Sequence, residues 1–231
     1  DLSYWEAGSR KQALAQTYED DHRRANQFRE IICNKSWLDI GTGAGGILDL
    51  LSPVASETVA IEPQKGIRNE LLKLGYNVFS DIEDAQQRSF DVITLFHVFE
   101  HFTQPIEMLK SIKQRLNPSG KVVIEIPHAN DFLISFLCLE SFKAFTFWSE
   151  HLILHTRQSL ETFLAHAGFG KISIQGLQRY PLANHLHWLS RNQPGGHVAW
   201  NQLDTQELEH AYADMLAKLD QTDTLIAIAE K

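Results

Sequence analysis

Two histidines and a glutamate crowd into "HVFEH" at residues 97–101: His97, Glu100 and His101. As H-x-x-E-H this could give a zinc ion two imidazole ligands and place a carboxylate general base beside them. That chemistry needs His97 and His101 on one helical face, and a third ligand from elsewhere. The preceding "FDVITLF" is strand-forming, and Pro105 opens the next helix four residues after His101. The sequence therefore predicts a strand end and a turn, and no catalytic metal. A second group of proton-transfer side chains, Glu150, His151 and His155, lies in "FWSEHLILHT". A third, His185, His187 and His197, sits in "RYPLANHLHWLSRNQPGGHVAW" without an acid or cysteine at ligand spacing. It reads as packing of an inserted element or as an aromatic rim for an acceptor.

The sharpest chemical signal is "WLDIGTGAGG", residues 37–46. An apolar run ends in Asp39, and Gly41, Gly43 and Gly45 follow at alternate positions, with Gly46 opening a helix. Such glycines let a backbone turn sharply and approach a ligand that a Cβ would hold off. The next apolar run, "TVAIEP", brings Glu62 to a strand end, where an acid can accept hydrogen bonds from both ribose hydroxyls of an adenosine. Gly41, Gly43 and Gly46 also satisfy G-x-G-x-x-G, the dinucleotide fingerprint. Asp39 discriminates between the two ligand classes. A carboxylate there repels a pyrophosphate, whereas it favours the sulfonium and α-ammonium of S-adenosylmethionine. The loop therefore points to the methyl donor. A nicotinamide-dependent (NAD or NADP) oxidoreductase and a non-catalytic cofactor-binding module are the alternatives.

Those residues need a frame, and short apolar runs supply it. "SWLDIG", "TVAIEP", "YNVFSD", "FDVITLF" and "KVVIEIP" read as strands, with helices in "GILDLLSPV", "QKGIRNELLKLG" and "PIEMLKSIKQRLNPSG" between most of them. Alternating strand and helix implies a parallel sheet covered on both faces. Residues 1–32 have helical spacing, with Tyr4, Trp5 and Tyr18 able either to close over a cofactor or to dock the helix. Residues 128–150 are aromatic-rich and form either a buried helix pair or a lid, directly after a strand's C-terminal end, where open α/β sheets bind ligands. A Thr-capped helix "TRQSLETFLAHAGF" and a strand "KISIQG" come next. An irregular stretch at 177–204 leads to a polar helix "TQELEHAYADMLAKL", and "DTLIAIAE" has strand character.

The 231 residues suit a single domain with insertions. A net charge of −8 gives no electrostatic footprint for general nucleic-acid binding. Cys33 and Cys138 are too few and too far apart for a disulfide framework, and no apolar stretch of membrane-spanning length occurs, so a cytoplasmic protein is expected. Nothing in the sequence fixes the oligomeric state.

Taken together, the motifs resemble those of the class I S-adenosylmethionine-dependent methyltransferases, over about 36–176 and the final strand. "LDIGTGAG" is similar to the first motif of that family, with Thr42 where many members have Cys or Ser, and "VAIEP" with Glu62 and Pro63 to the second. "SDIED", through Asp81 and Ile82, is similar to the segment flanking the adenine ring, and "FDVITLFHVFEHF" to the fourth motif. The resemblance implies a three-layer Rossmann-like α/β fold with a seven-stranded, mostly parallel sheet of order 3-2-1-4-5-7-6 and strand 7 antiparallel. It also implies insertions after strand 5 (128–155) and between strands 6 and 7 (177–222), under an N-terminal helical lid (1–32). Asp39, Gly41, Thr42, Gly43 and Gly45 would hold the methionine end, Glu62 and Pro63 the ribose, and Asp81 and Ile82 the adenine. Phe96 and His97 would form the floor near the sulfonium.

The acceptor implied is a small molecule. Glu150 and His151 are similar to the Glu-His pair of sugar-nucleotide C-methyltransferases, in which the histidine is a proposed base, although Trp148 stands where those enzymes have Tyr. That likeness suggests a sugar or glycan precursor as acceptor, with His151, Glu150 and His101 as the catalytic candidates. His101 either faces the acceptor pocket or merely completes a turn.

Overall fold

The structure is a computed structural model and describes residues 10–85, 88–147 and 151–231. Along the chain run α1 (Arg10–Ile32), β1 (Ser36–Ile40), α2 (Gly46–Leu51), β2 (Glu57–Ile61), α3 (Lys65–Lys73), β3 (Val78–Phe79) and β4 (Phe90–Phe96). Then come α4 (Pro105–Arg115), β5 (Leu116–Pro127), α5 (Phe132–Ser135), α6 (Glu140–Thr146), α7 (Arg157–His166) and β6 (Gly170–Leu177). The chain continues through α8 (Leu182–Arg191), α9 (Gly196–Ala199), α10 (Gln206–Lys218) and β7 (Thr224–Glu230). The seven strands form one sheet of order β3-β2-β1-β4-β5-β7-β6. Pairings are parallel from β3 to β5, and β7 runs antiparallel to both β5 and β6. This is the expected three-layer α/β fold.

Alternation along each strand decides which residues meet which helices. Leu38, Ile40, Ile93, Leu95, Val122 and Ile124 turn to one face, where Leu109 and Ile112 of α4 and Leu160 and Leu164 of α7 cover them. Trp37, Val92, Phe96, Val123 and Ile226 turn to the other face, under Phe28 and Ile32 of α1 and Ile47, Leu48 and Leu51 of α2. Full burial of each such side chain contributes roughly 1.5–3 kcal/mol. Asp39, Thr94 and Glu125 share the parity of this second face. Three polar groups thus enter the layer beneath α1, and each must find a partner there.

Helix α1 supplies Arg23 and Arg24 to Glu125, while Thr94 joins Asp39 to Trp37 within the sheet. The buried residues of α1, Asp21, Arg24, Ala25, Phe28 and Ile32, recur at helical spacing, so charged and apolar groups share one stripe. Helix α7 starts on a capping box in which Thr156 and Ser159 satisfy each other's backbone amides.

Three expectations need correction at element ends. The helix from Gly46 stops at Leu51, and the one from Pro105 stops at Arg115. Asn117–Gly120 belongs instead to the start of β5, with Ser119 at φ 61° and a register irregularity against β4. The stretch 177–204 contains α8, whose histidines disguise an amphipathic helix that buries Ala183, His187 and Trp188. No described helix is long and apolar enough to cross a membrane.

Candidate active site

The carboxyl ends of β1, β2 and β4 converge on the glycine loop. Gly41 and Gly45 take φ of 76° and 78°, a region open to glycine at little cost. The Gly41 amide donates to the Ile61 carbonyl at 2.9 Å, which seats the loop on β2. A Cβ on Gly41 would overlap the side chain of Val98, so the second residue of "HVFEH" forms one wall of the loop.

Glu62 closes the loop from the neighbouring strand. Its Oε2 accepts from the Gly43 amide at 3.0 Å and its Oε1 from the Gln64 amide at 2.7 Å. Burial pushes its carboxyl above the ordinary range against the pull of those two amides. Arg68 donates to the carbonyls of Glu62 at 2.7 Å and Pro63 at 2.8 Å, fixing the backbone on either side. Asp81 is exposed and caps the turn Ile82–Ala85 by accepting from the Glu83 amide at 2.9 Å, while Ile82 is buried.

Asp39 is 2% exposed and lies beneath the loop. Trp37 Nε1 donates to Thr94 Oγ1 at 2.8 Å, and that hydroxyl donates to Asp39 Oδ1 at 2.6 Å. Burial outweighs those bonds and lifts the Asp39 pKa to about 7. A carboxyl poised at neutrality beside a glycine cradle suits a ligand that brings positive charge, since a cation stabilises the ionised form. The buried Asp39, the amide-bound Glu62 and a loop that side chains would fill together fit S-adenosylmethionine.

Phe96 and His97 end β4. Phe96 stacks on Phe28 at 5.5 Å between ring centroids, and the Arg24 guanidinium lies 4.9 Å above it. His97 sits at φ 55° and is a node of a polar network more than a flat floor. Arg179 Nη1 lies 3.0 Å from His97 Nε2, and His97 Nδ1 faces Glu100 at 3.5 Å. Glu125, fully buried on β5, accepts from Arg23 at 2.8 Å and from Arg24 at 2.7 Å. Those cations, together with His97, override the burial penalty and hold its carboxyl far below the ordinary range. Arg179, which follows β6, pairs through Nε with Asp20 of α1 at 3.0 Å. The same cation keeps Asp20 at about 2 despite its burial. Arg10 joins α1 to the glycine loop through the Ala44 carbonyl at 2.8 Å.

Nothing in the sequence marks Arg179. Glu125 does carry a signal, because one acid inside the apolar run "KVVIEIP" demands a cationic partner when the strand is central. A cleft of about 240 Å³ opens beside Arg179, with Glu19, Tyr180, His197, Glu209 and Tyr212 among its walls.

The acceptor-side candidates meet on the far side of "HVFEH". His101 and His151 face each other with ring centroids 5.2 Å apart. Glu150 and Trp148 lie outside the described residues, as do Tyr4 and Trp5. Among the described residues, the carboxylate beside the histidine pair is Glu100. Its backbone carbonyl accepts from Leu152 at 3.0 Å and Ile153 at 3.2 Å, which pins the 151–153 segment against the end of β4. His151 Nδ1 lies 2.8 Å from the Thr146 carbonyl, so that nitrogen carries hydrogen and Nε2 is the basic one. Burial lowers its pKa below the ordinary histidine value.

His155 is a core residue, stacked on Phe99 at 5.3 Å, and burial depresses its pKa to about 4. Tyr18 is 58% exposed and lies against His22 of its own helix, ring centroids 4.0 Å apart. His185 bonds the Tyr212 hydroxyl at 2.6 Å and His187 the Gln193 carbonyl at 2.8 Å, which is packing. His97 and His101 do not share a helix: the first is left-handed and the second closes a short 3-10 turn, Phe99–His101. A zinc-peptidase reading of "HVFEH" fails on that geometry.

A family model described as a methyltransferase domain matches residues 11–174. The mitochondrial ubiquinone biosynthesis O-methyltransferase of Schizosaccharomyces pombe is 28% identical over 135 residues, which cover 52% of this chain and 48% of that protein. The chain thus spans about half the length of the curated relative it matches. Among solved structures, a SAM-dependent methyltransferase from Archaeoglobus fulgidus superposes with a TM-score of 0.64 at 20% identity, over 100% of this chain and 97% of that one. A SAM-dependent methyltransferase from Thermotoga maritima gives 0.61 at 16% identity, over 98% and 99%. The nicotinamide alternative loses its footing, because the family match covers the loop that it invoked. The chain belongs to the methyltransferase-domain family and has the fold of the S-adenosylmethionine-dependent methyltransferases on which it superposes.

Proposed function

We propose that the chain methylates a hydroxyl on a ring-bearing small molecule, delivered to the Glu100–His101–His151 cluster at the carboxyl end of β4. The observation that carries this reading is the His101–His151 pair, 5.2 Å apart and beside a buried carboxylate. S-adenosylmethionine supplies, when bound, a methyl carbon activated by its sulfonium. What remains for the chain is to place the acceptor oxygen in line, exclude water and deal with the hydroxyl proton. His151 suits the last task, since burial keeps its ring neutral near pH 7 and Thr146 fixes the tautomer.

The cofactor assignment follows the same division. Asp39, Gly41, Thr42, Gly43 and Gly45 face the methionine end, Glu62 and Pro63 the ribose, Asp81 and Ile82 the adenine, and Phe96 the sulfonium side. Helix α1 is the lid, supported by its ties to Ala44, Glu125 and Arg179. The segments 128–155 and 177–222 shape the acceptor side. Exposed Phe145 and Phe147 there offer apolar faces for a ring. The S. pombe relative is named for O-methylation in ubiquinone biosynthesis, which supports a ring hydroxyl. The Glu150–His151 likeness points instead to a carbon of a sugar or glycan precursor, from which a base would take a C–H proton.

The test is turnover. Purified protein with S-adenosylmethionine is offered phenolic, catecholic and sugar hydroxyls alongside amines and thiols, and S-adenosylhomocysteine is measured. Product from a hydroxyl class, with His151→Ala lowering kcat while S-adenosylhomocysteine affinity holds, is the expected result. Turnover confined to amines or thiols would overturn it.

A further inference from the structure

We propose that Glu100, His101 and His151 form a binding site for a divalent transition-metal cation of the zinc class, on the acceptor side of the methyl-transfer centre. The inference deepens the reading above and rests on its choice of a hydroxyl acceptor at this cluster. It also departs from the expectation of a metal-free site.

Three observations carry it. One ligand atom from each of the three side chains lies within 4.8 Å of the other two. Glu100 is 1% exposed, yet neither carboxylate oxygen makes a hydrogen bond among the described residues. His97 Nδ1 lies 3.5 Å away, an ion-pair distance, and despite burial that ring and His101 hold the Glu100 carboxyl below the ordinary range, so its charged form is the one presented. A buried carboxylate in that condition is costly unless a cation compensates it. The third observation is the Thr146 carbonyl at His151 Nδ1, 2.8 Å away. A backbone acceptor on one ring nitrogen orients the other, as is usual for metal-ligating histidines.

The donor set argues for the class of cation. Two imidazoles and one carboxylate suit zinc, cobalt or nickel better than magnesium or calcium, which prefer all-oxygen shells. Ligand atoms around a tetrahedral zinc stand about 3.3 Å apart, given bonds of about 2.0–2.1 Å. Side-chain rotation closes the remaining gap, and the backbone already holds the frame because Leu152 and Ile153 donate to the Glu100 carbonyl. Three protein ligands leave a position open, as in catalytic rather than structural sites. An acceptor hydroxyl oxygen taken up there would be acidified, its O–H proton passing to solvent water. His151 would then be a ligand and not the base.

The experiment uses the full chain, stripped with chelator and titrated with Co²⁺ while visible d–d bands are recorded, with zinc content of the untreated protein measured in parallel. The expected result is saturable binding of about one equivalent per chain with the band pattern of a low-coordinate site. Glu100→Gln and His151→Ala should each weaken it by more than about 10-fold, and His210→Ala on the exposed face of α10 should leave it unchanged. S-adenosylhomocysteine titration and a thermal melt report whether each variant is folded, and His151, being only half-buried, is the variant less at risk. No cobalt band, or a band that survives both substitutions, overturns the inference. Hydroxyl methylation by chelated, metal-free protein overturns it too, while leaving the hydroxyl-acceptor reading intact with His151 as base. Cobalt binding without any hydroxyl turnover keeps the site and overturns only that reading.

Discussion

The Gly43 amide donates to the Glu62 carboxylate at 3.0 Å, so the glycine loop and the acid of the next strand are one unit before any ligand arrives. Glu62 therefore holds the loop, besides the ribose-binding role proposed for it. Glu62→Ala should weaken S-adenosylhomocysteine binding by about 1–3 kcal/mol, roughly 5- to 150-fold. Titration calorimetry reads that loss, and hydrogen exchange at Gly43 and Gln64 should quicken in the ligand-free variant. Unchanged affinity would show that the ribose is held elsewhere.

Asp39 makes ligand binding depend on pH. Its folded pKa of about 7 stands above the ordinary 3.8, so the protonated form is favoured in the ligand-free protein. The stability linked to that proton is complete below about pH 4 and is lost as pH rises through 7, on the order of 4 kcal/mol in all. An α-ammonium or sulfonium reverses the preference, and binding should expel the proton. S-adenosylhomocysteine affinity should then rise from pH 6 to 8, with calorimetric heats that follow the ionisation enthalpy of the buffer. In Asp39→Asn both effects should vanish.

The sheet was legible because its strands are short apolar runs with helices between them, and "DIGTGAGG" could only be a tight turn. The histidine pair was half legible. "HVFEH" and "FWSEHLILHT" each advertise proton chemistry, but a turn at 99–101 and the bonds from Leu152 and Ile153 to the Glu100 carbonyl bring the two segments together, and spacing cannot show that. Glu100 joins the pair for the same reason, while Glu150 lies outside the described residues. Arg179 was not legible at all. It is one arginine in a polar stretch, and only the return of β6 to the sheet edge brings it to Asp20 and His97.

Arg179 should therefore be among the most sensitive positions outside the glycine loop. Arg179→Met leaves Asp20 with Arg23 at 3.1 Å as its remaining ion pair and takes from buried Asp223 the cation that favours its charge. Breaking such a pair costs about 3–5 kcal/mol, measurable by urea denaturation at pH 7. Asp20 is depressed to about 2, so its contribution holds above its ordinary 3.8 and is lost as pH falls towards 2. The gap between wild type and variant should narrow in acid. Faster hydrogen exchange along α1 would locate the loosening, and protection unchanged there would mean that Arg23 and Arg24 alone hold the helix.

Gly41 and Val98 test whether "HVFEH" and the glycine loop are coupled. Gly41→Ala asks a Cβ to overlap Val98 and asks alanine to hold a φ of 76°. The second demand alone costs about 1–3 kcal/mol. Adding Val98→Ala removes the overlap and leaves the backbone strain. The double variant should thus be more stable than the sum of the two singles predicts, by about 0.5–3 kcal/mol of coupling. It should also recover part of the S-adenosylhomocysteine affinity that Gly41→Ala loses. Strict additivity in both measurements would mean that the loop evades Val98 by shifting, and the wall assigned to that residue would go with it.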